Sequence, residues 1–241
     1  MGEATLSLIN QFQKKLAAER NSGDFLARLN KRWDLVRIVG NVGDGEARKI
    51  LSVLQARPKV FREGVLESVH ALGDLARKAQ MTNIPGGETL HSQSQAGLMK
   101  FKLGSWHFNL KPEETLETGT TVSGQVIYLL DTLRGSLGCN RAGAAALVGQ
   151  LPPVEGLRWT LGNAPTIVGI LANHLKTTGS PLLCWEETWV EGYYQNLSQS
   201  VSLMPLSVGC FDPNDGVRVH NQDVDRGVSD LGVFVLGVPD Y

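Results

Sequence analysis

Cysteine is scarce in this sequence. Cys139, Cys184 and Cys210 are an odd number in 241 residues, and no two of them are closely spaced. A disulfide-stapled fold needs an even set at short spacings. The sequence excludes that class and favours a reducing compartment, the cytoplasm.

Long apolar runs are also missing. No stretch approaches the about 18 consecutive apolar residues that read as a membrane-spanning helix. The early basic residues Lys14, Lys15 and Arg20 stand among polar groups, which is unlike a secretory signal. We therefore expect a soluble, intracellular protein without a membrane span.

An excess of positive charge is lacking in the chain as a whole. The net charge is −1 and the isoelectric point is about 6.5, which is unlike a general polyanion binder. The charge is nevertheless uneven. Residues 1–80 carry 14 basic and 9 acidic side chains, and residues 81–241 carry 9 and 15. This asymmetry indicates either two lobes of one fold that attract each other or a head-to-tail contact between copies.

Apolar periodicity predicts the architecture. Residues 1–81 show helical spacing and predict a basic bundle of four amphipathic helices. Residues 82–97 are rich in Gly, Ser and Gln and predict a linker, and residues 98–241 predict a mixed, acidic domain. The expected fold class is α+β, mainly helical, with a minor antiparallel sheet.

Within the acidic domain, spacings of three and four residues predict helices over 126–133, 163–179 and 181–193. The segment 141–150 is small and apolar, which allows another backbone to come close. Alternation of apolar residues predicts strands over 201–209, 217–220 and 232–238, with a turn at 211–216. A change of period over 98–110 predicts a hairpin or a bulged strand.

One glycine-rich segment suggests phosphate binding. Residues Gly40–Gly45 read G-x-x-G-x-G ahead of a predicted helix, and backbone amides at a helix start bind phosphate. The order differs from G-x-G-x-x-G, and Glu46 stands where a phosphate-binding loop has lysine. A plain interhelical turn is the favoured interpretation, with a nucleotide site as the alternative.

A cysteine nucleophile is the second chemical alternative. Cys184 follows His174 by ten residues, and a thiol nucleophile needs a nearby base and an electropositive setting. Glu186 and Glu187 beside it disfavour the thiolate. We therefore interpret Cys184 as a buried residue on an aromatic-rich helix.

Neither a metal nor a cofactor is predicted. The five histidines are isolated, without the i, i+4 pairs or Cys-x-x-Cys spacing of zinc sites. Asn221, Asp223 and Asp225 alternate as in a calcium loop, but Arg226 and Gly232 stand where that loop needs Gly and Glu.

Two sets of residues are candidates for contacts with partners. The aromatic side chains favour a protein interface or core packing, because both are enriched in aromatics: Trp185, Trp189, Tyr193 and Tyr194. The basic residues of the N-terminal region are candidates for contact with a nucleic-acid backbone: Lys14, Lys15, Arg20, Arg28, Lys31, Arg32, Arg37, Arg48 and Lys49.

Together these features predict a non-enzymatic protein that forms homo-oligomers, such as a coat, nucleocapsid or shell subunit. The opposite charge of the two regions, the aromatic surfaces and the lack of a coherent catalytic motif favour this function. Two alternatives stay open. One is a small-molecule enzyme that uses Gly40–Gly45 or Cys184. The other is a monomeric nucleic-acid-binding or regulatory module that uses the basic N-terminal helices.

Overall fold

A computed structural model of the chain describes residues 59–102, 114–196, 203–222 and 229–240. All of these belong to one of two units into which the chain divides, Pro58–Asp240. The described α-helices are α1 (Val65–His70), α2 (Leu90–Gln95), α3 (Arg141–Gly149) and α4 (Ala164–Thr178), with a 3-10 turn at Gly73–Leu75. The described strands are β1 (Gln80–Ile84), β2 (Glu114–Glu117), β3 (Gly124–Tyr128), β4 (Leu157–Thr160), β5 (Glu187–Asn196), β6 (Met204–Asp212), β7 (Gly216–Asn221), β8 (Leu231–Gly232) and β9 (Leu236–Pro239).

The described part is mostly β, so the prediction of a mainly helical fold is wrong. One sheet has the strand order β1-β3-β9-β4, and the other has the order β2-β5-β6-β7 with the two-residue β8 also paired to β5. Both sheets are antiparallel apart from the β5–β8 pair.

The first error concerns residues 126–133, where the sequence predicts a helix and the structure has β3 and a loop. Val126 and Ile127 are adjacent, and both are fully buried, because β3 is covered on both faces. The sequence of a strand that is buried on both faces is a continuous apolar run, without the alternation of apolar and polar residues that predicts a strand. Such a short run does not distinguish a strand from a buried helix.

The second error concerns residues 181–193, which form a loop and the strand β5. The pairing of β5 with β6 shifts register between Val190 and Tyr193. Gly192 lies at this bulge with φ of 120°, and a Cβ there would overlap the carbonyl oxygen of Glu117. Residues 191 and 192 have no partner on β6, and such a bulge breaks strand alternation. Trp189 and Val190 are both fully buried, so this segment lacks the alternation that predicts a strand.

The predicted helix over 163–179 is confirmed as α4, and the small apolar residues of 141–150 form α3. The side chain of Asn163 caps α4 by accepting a hydrogen bond from the Thr166 amide at 3.0 Å, as N-cap residues do. Gly179 ends the helix in the left-handed conformation with φ of 73°. The predicted strands over 201–209 and 217–220 are confirmed as β6 and β7, whereas the single strand predicted over 232–238 is divided between β8 and β9, which belong to different sheets.

The hydrophobic core lies on both faces of the first sheet. On one face, α4 packs against β1, β5 and β6 and buries Ile167 and Leu171 among apolar residues of both sheets. On the other face, Val69 of α1, Ile127 of β3 and Trp189 of β5 belong to a second buried apolar cluster. The two sheets therefore share a core, and β5 contributes side chains to both of its halves.

Several predicted segments lie wholly or partly outside the described residues. The first three helices of the predicted bundle fall within 1–58, and the fourth corresponds to the short α1. Residues 82–97, the predicted linker, contain the end of β1 and the helix α2, in which Leu90 and Gln93 are buried. Among the described residues, no helix is long and apolar enough to cross a membrane.

Candidate functional site

The most exposed large apolar side chain in the described part of the chain is Trp185, which is 88% exposed. It lies in the segment Leu182–Glu186, here called the Trp185 loop, directly before β5. Leu182 and Leu183 are buried in the core at the base of this loop. The loop is therefore anchored in the core by Leu182 and Leu183, while the indole ring of Trp185 faces solvent.

The backbone of the Trp185 loop is held by two consecutive amides of β6. The amide of Phe211 donates to the Leu183 carbonyl at 2.9 Å, and the amide of Cys210 donates to the Glu186 carbonyl at 2.8 Å. These bonds fix both sides of Trp185. The backbone that carries the indole ring is therefore held in one position by β6.

Backbone strain is concentrated at the same place. Leu183 and Cys210 have φ of 53° and 45°, the non-glycine residues with positive φ in the described part of the chain. Non-glycine residues in this region cost on the order of 1–3 kcal/mol each and cluster at functional sites. This strain persists because packing and the two backbone bonds over-determine the loop.

A buried carboxylate follows the loop. Glu187 is 3% exposed on β5, and its oxygens accept hydrogen bonds from Ser207 Oγ at 2.7 Å, His220 Nε2 at 2.8 Å and Gln222 Nε2 at 3.0 Å. The guanidinium of Arg218 lies 3.8 Å away. These partners project from β6, β7 and the residue after β7, and we call the five residues the Glu187 cluster.

The Glu187 cluster stabilises the carboxylate in its charged form. Burial by itself raises the pKa of Glu187, but hydrogen bonds and charge from His220, with hydrogen bonds from Ser207 and Cys210, outweigh it and hold the pKa below the ordinary value. Since the carboxylate is ionised, His220 Nε2 carries the proton of their hydrogen bond. The carboxylate thereby orients the imidazole ring with an N–H at Nε2.

The Glu187 cluster gives no activated thiol. Burial raises the pKa of the Cys210 thiol, and the charge of Glu187 raises it further. The thiolate is the nucleophilic form, so Cys210 is held in its unreactive state. The cluster is a hydrogen-bonded polar network at the residue that directly follows the Trp185 loop.

A cleft of about 300 Å³ lies between residues 74–79 and residues 129–134. Thr132 on its wall donates a hydrogen bond to Glu186 of the Trp185 loop at 2.7 Å. The wall is tied to the strand region after β8, where the Leu133 amide donates to the Val233 carbonyl at 2.8 Å. The cleft wall is therefore connected to the Trp185 loop through Glu186.

The two residues of the predicted Cys–His alternative have different hydrogen-bond partners. Cys184 donates its thiol hydrogen to the Pro181 carbonyl at 3.6 Å. His174 lies on α4, where its Nδ1 is 3.0 Å from the Tyr128 hydroxyl and 3.2 Å from Gln80 Oε1. Burial lowers the pKa of His174 and raises that of Tyr128 to about 12, so both are neutral groups of the core.

The four aromatic candidates lie in different environments. Trp189 is fully buried and donates from Nε1 to the Cys139 carbonyl at 3.0 Å. Tyr194 is also buried, and Tyr193 is partly buried. Only Trp185 of this set presents most of its side chain to solvent.

The other candidates lie outside the described residues: Lys14, Lys15, Arg20, Arg28, Lys31, Arg32, Arg37, Arg48, Lys49 and Gly40–Gly45. Asp223 and Asp225 of the calcium-like spacing lie outside as well. In the stretches that the structure covers, no three His, Cys, Asp or Glu residues are grouped closely enough to hold a metal ion.

The sequence analysis missed the Glu187 cluster. Its members come from separate strands, and Arg218, His220 and Gln222 share a face only because they alternate along the chain. That alternation of polar residues was the available signal.

Comparisons with known proteins identify no relative. No family model matches the chain, and no curated protein and no solved structure is significantly similar to it.

Proposed function

We propose that this protein is a non-enzymatic structural protein that works by self-association, in the manner of a coat, nucleocapsid or shell subunit. The observation that carries the proposal is the 88% exposure of Trp185 on a loop fixed on both sides by β6. Tryptophan is strongly enriched among the residues that dominate interface energies. An indole on a rigid support also loses little conformational freedom on binding.

The Glu187 cluster supports a binding role more than a catalytic one. Three side chains donate directly to the Glu187 carboxylate, and Cys210 is held as a thiol. A satisfied buried network makes its surroundings rigid. Because the cluster directly follows the Trp185 loop in the chain, it helps to hold the proposed contact surface in one conformation.

The charge distribution supports copies of the same chain as the partner. Residues 1–80 have an excess of five positive charges, and residues 81–241 have an excess of six negative charges. Opposite charge on two parts of one chain favours association between copies. This contribution weakens as salt rises, because ions screen exposed charges.

Sedimentation velocity over a range of protein concentrations, at low and at high salt, tests the proposal. We expect the wild-type protein to self-associate and Trp185→Ala to weaken that association. The control is Leu203→Ala, which removes another exposed apolar side chain, 48% exposed, and is expected to associate like the wild type. A wild-type protein that stays monomeric at every concentration and salt overturns the proposal. Nucleic acid that co-purifies, detected by its absorbance ratio, distinguishes a nucleocapsid subunit from an empty shell.

A further inference from the structure

The cleft of about 300 Å³ opens where the paired strands β1 and β3 separate. Gln80 and Tyr128 are the last pair of these two strands. Residues 129–134 then follow the strand region after β8, where the Leu133 amide donates to the Val233 carbonyl at 2.8 Å. The chain before β1 continues on the other side of the cleft. This separation leaves backbone groups on the cleft wall without a neighbouring strand to pair with.

The wall formed by residues 129–134 has hydrogen-bond donors to spare. Leu130, Asp131 and Thr132 line the cleft, and their backbone amides donate to no atom in the part of the chain that the structure describes. Successive backbone amides in turns form concavities that bind anions. The wall therefore offers three consecutive donors to a negatively charged group.

Two cations in the lining of the cleft are also without a partner. Lys78 and Arg134 are exposed, and neither forms an ion pair or a hydrogen bond within the described ranges. The third cation, Arg77, lies 3.5 Å from Asp74 of the same wall. Lysine and arginine side chains bind phosphate oxygens by charge-assisted hydrogen bonds. The two unpaired cations therefore add charge to the donors of the backbone.

The one unpaired carboxylate of the cleft restricts the ligand further. Asp131 lines the cleft, and its side chain has no partner among the described residues. An ionised carboxylate accepts hydrogen bonds from hydroxyl groups and repels additional negative charge. The ligand should therefore combine one anionic group with hydroxyl donors. The volume is at the small end of the range for ligand pockets, which fits a molecule of the size of a sugar.

We propose that this cleft binds a small hydroxylated phosphate monoester. Lys78, Arg134 and the amides of residues 130–132 hold the phosphate, and a hydroxyl of the ligand donates to Asp131. A phosphate monoester suits these donors better than a carboxylate, because it has three acceptor oxygens and nearly two negative charges at neutral pH. This site is separate from the proposed self-association and does not require it.

Isothermal titration calorimetry with ribose 5-phosphate at fixed ionic strength tests the proposal. We expect the wild-type protein to bind this compound and not to bind ribose at the same concentration. Lys78→Gln and Arg134→Gln should each raise the dissociation constant about tenfold, because each removes one charged hydrogen-bond donor. The matched control is Arg158→Gln with Lys176→Gln, which removes two exposed cations on β4 and α4 and should leave the dissociation constant unchanged.

Inorganic phosphate as a second probe tests the contact with Asp131. Asp131→Ala relieves the charge repulsion for both compounds, but only ribose 5-phosphate loses a hydrogen bond. We therefore expect the preference for ribose 5-phosphate over inorganic phosphate to fall at least about threefold in this variant. An unchanged preference would overturn the assignment of a hydroxyl to Asp131.

Circular dichroism and thermal melting confirm that each variant is folded. A wild-type protein that does not bind ribose 5-phosphate overturns the proposal, and so do Lys78→Gln and Arg134→Gln variants that bind it like the wild type. A single-stranded oligonucleotide without a terminal phosphate distinguishes a nucleic-acid backbone as the source of the phosphate. If it binds through Lys78 and Arg134 while ribose 5-phosphate does not, the small-molecule site is excluded. Sedimentation measures self-association independently of all these titrations.

Discussion

Trp185 and Trp189 lie four residues apart and occupy opposite environments. The first is 88% exposed, and the second is fully buried, with its Nε1 donating to the Cys139 carbonyl. On a helix, this spacing would place both rings on one face. Here Trp185 lies in a loop, and Trp189 belongs to β5, which follows the loop. Trp185 is therefore a surface residue, and Trp189 is a core residue.

Alanine substitutions at these two positions are expected to separate those roles. Trp189→Ala removes a core side chain and should lower the free energy of unfolding by about 3–5 kcal/mol. Trp185→Ala removes a solvent-exposed ring and should change it by less than about 0.5 kcal/mol. Urea denaturation at a low protein concentration, where association does not contribute, measures both. A large loss of stability in Trp185→Ala would mean that the ring packs within its own chain.

The charge of Glu187 is expected to be necessary for the stability of the second sheet. Glu187→Gln preserves the shape but turns one oxygen into an N–H donor that faces donors from Ser207, His220 and Gln222. Removing one partner of a buried charge network typically costs about 3–5 kcal/mol, and we expect about 3 kcal/mol. The matched control is Glu155→Gln, which removes an exposed ion pair with Arg62 and should cost less than about 1 kcal/mol. Equal losses in the two variants, by urea denaturation, would contradict this account.

The buried imidazole of His174 is expected to give stability a pH dependence on the acidic side of neutrality. Burial lowers the pKa of His174 from its ordinary value of 6.5, so the unfolded chain binds this proton before the folded chain does. The stability that comes from keeping His174 neutral is therefore fully present above pH 6.5. It is lost as the pH falls from 6.5 towards the lowered pKa of the folded state. Denaturation midpoints measured between neutral and mildly acidic pH test this, and His174→Gln should reduce the slope. His91→Gln, at an exposed position of α2, is the control and should leave the slope unchanged.

The elements that sequence reasoning predicted correctly carry local signals. Helix α4 has Asn163 at its start and Gly179 at its end, and both caps act within a few residues of the chain. Strands β6 and β7 flank a turn in which Asp212 accepts a hydrogen bond from the Asn214 amide at 2.7 Å. In each case, the determining contacts lie between neighbours in the sequence.

The errors arose where distant contacts determine the local structure. β3 is a strand because β1 and β9 pair with it on either side, and its apolar residues alone do not reveal that. At the site, Trp185 was named from the sequence, but its exposure depends on amides of β6 that lie more than twenty residues further along. The Glu187 cluster likewise unites residues separated by up to 35 positions, which no spacing rule brings together.

Gly124 is expected to be the glycine least tolerant of substitution among the three compared here. It begins β3 with φ of 115°, and a Cβ at this position would overlap backbone atoms of Lys59, which pairs with it as an isolated bridge. An alanine at position 124 would therefore have a disfavoured φ, and its Cβ would clash with backbone atoms of Lys59. Rotation of a side chain cannot relieve that clash. We expect a loss of at least about 3 kcal/mol in the free energy of unfolding.

Two control glycines separate these causes. Gly135 has φ of 79° with no atom within 4 Å of a new Cβ, so Gly135→Ala should lose only the conformational cost, about 1 kcal/mol. Gly149 ends α3 with open space around it, so Gly149→Ala should be neutral or stabilising by up to about 1 kcal/mol. Urea denaturation should find Gly149→Ala the most stable of the three variants, Gly135→Ala intermediate and Gly124→Ala the least stable. If Gly124→Ala were as stable as Gly135→Ala, the close approach of Lys59 to β3 would not constrain this edge of the fold.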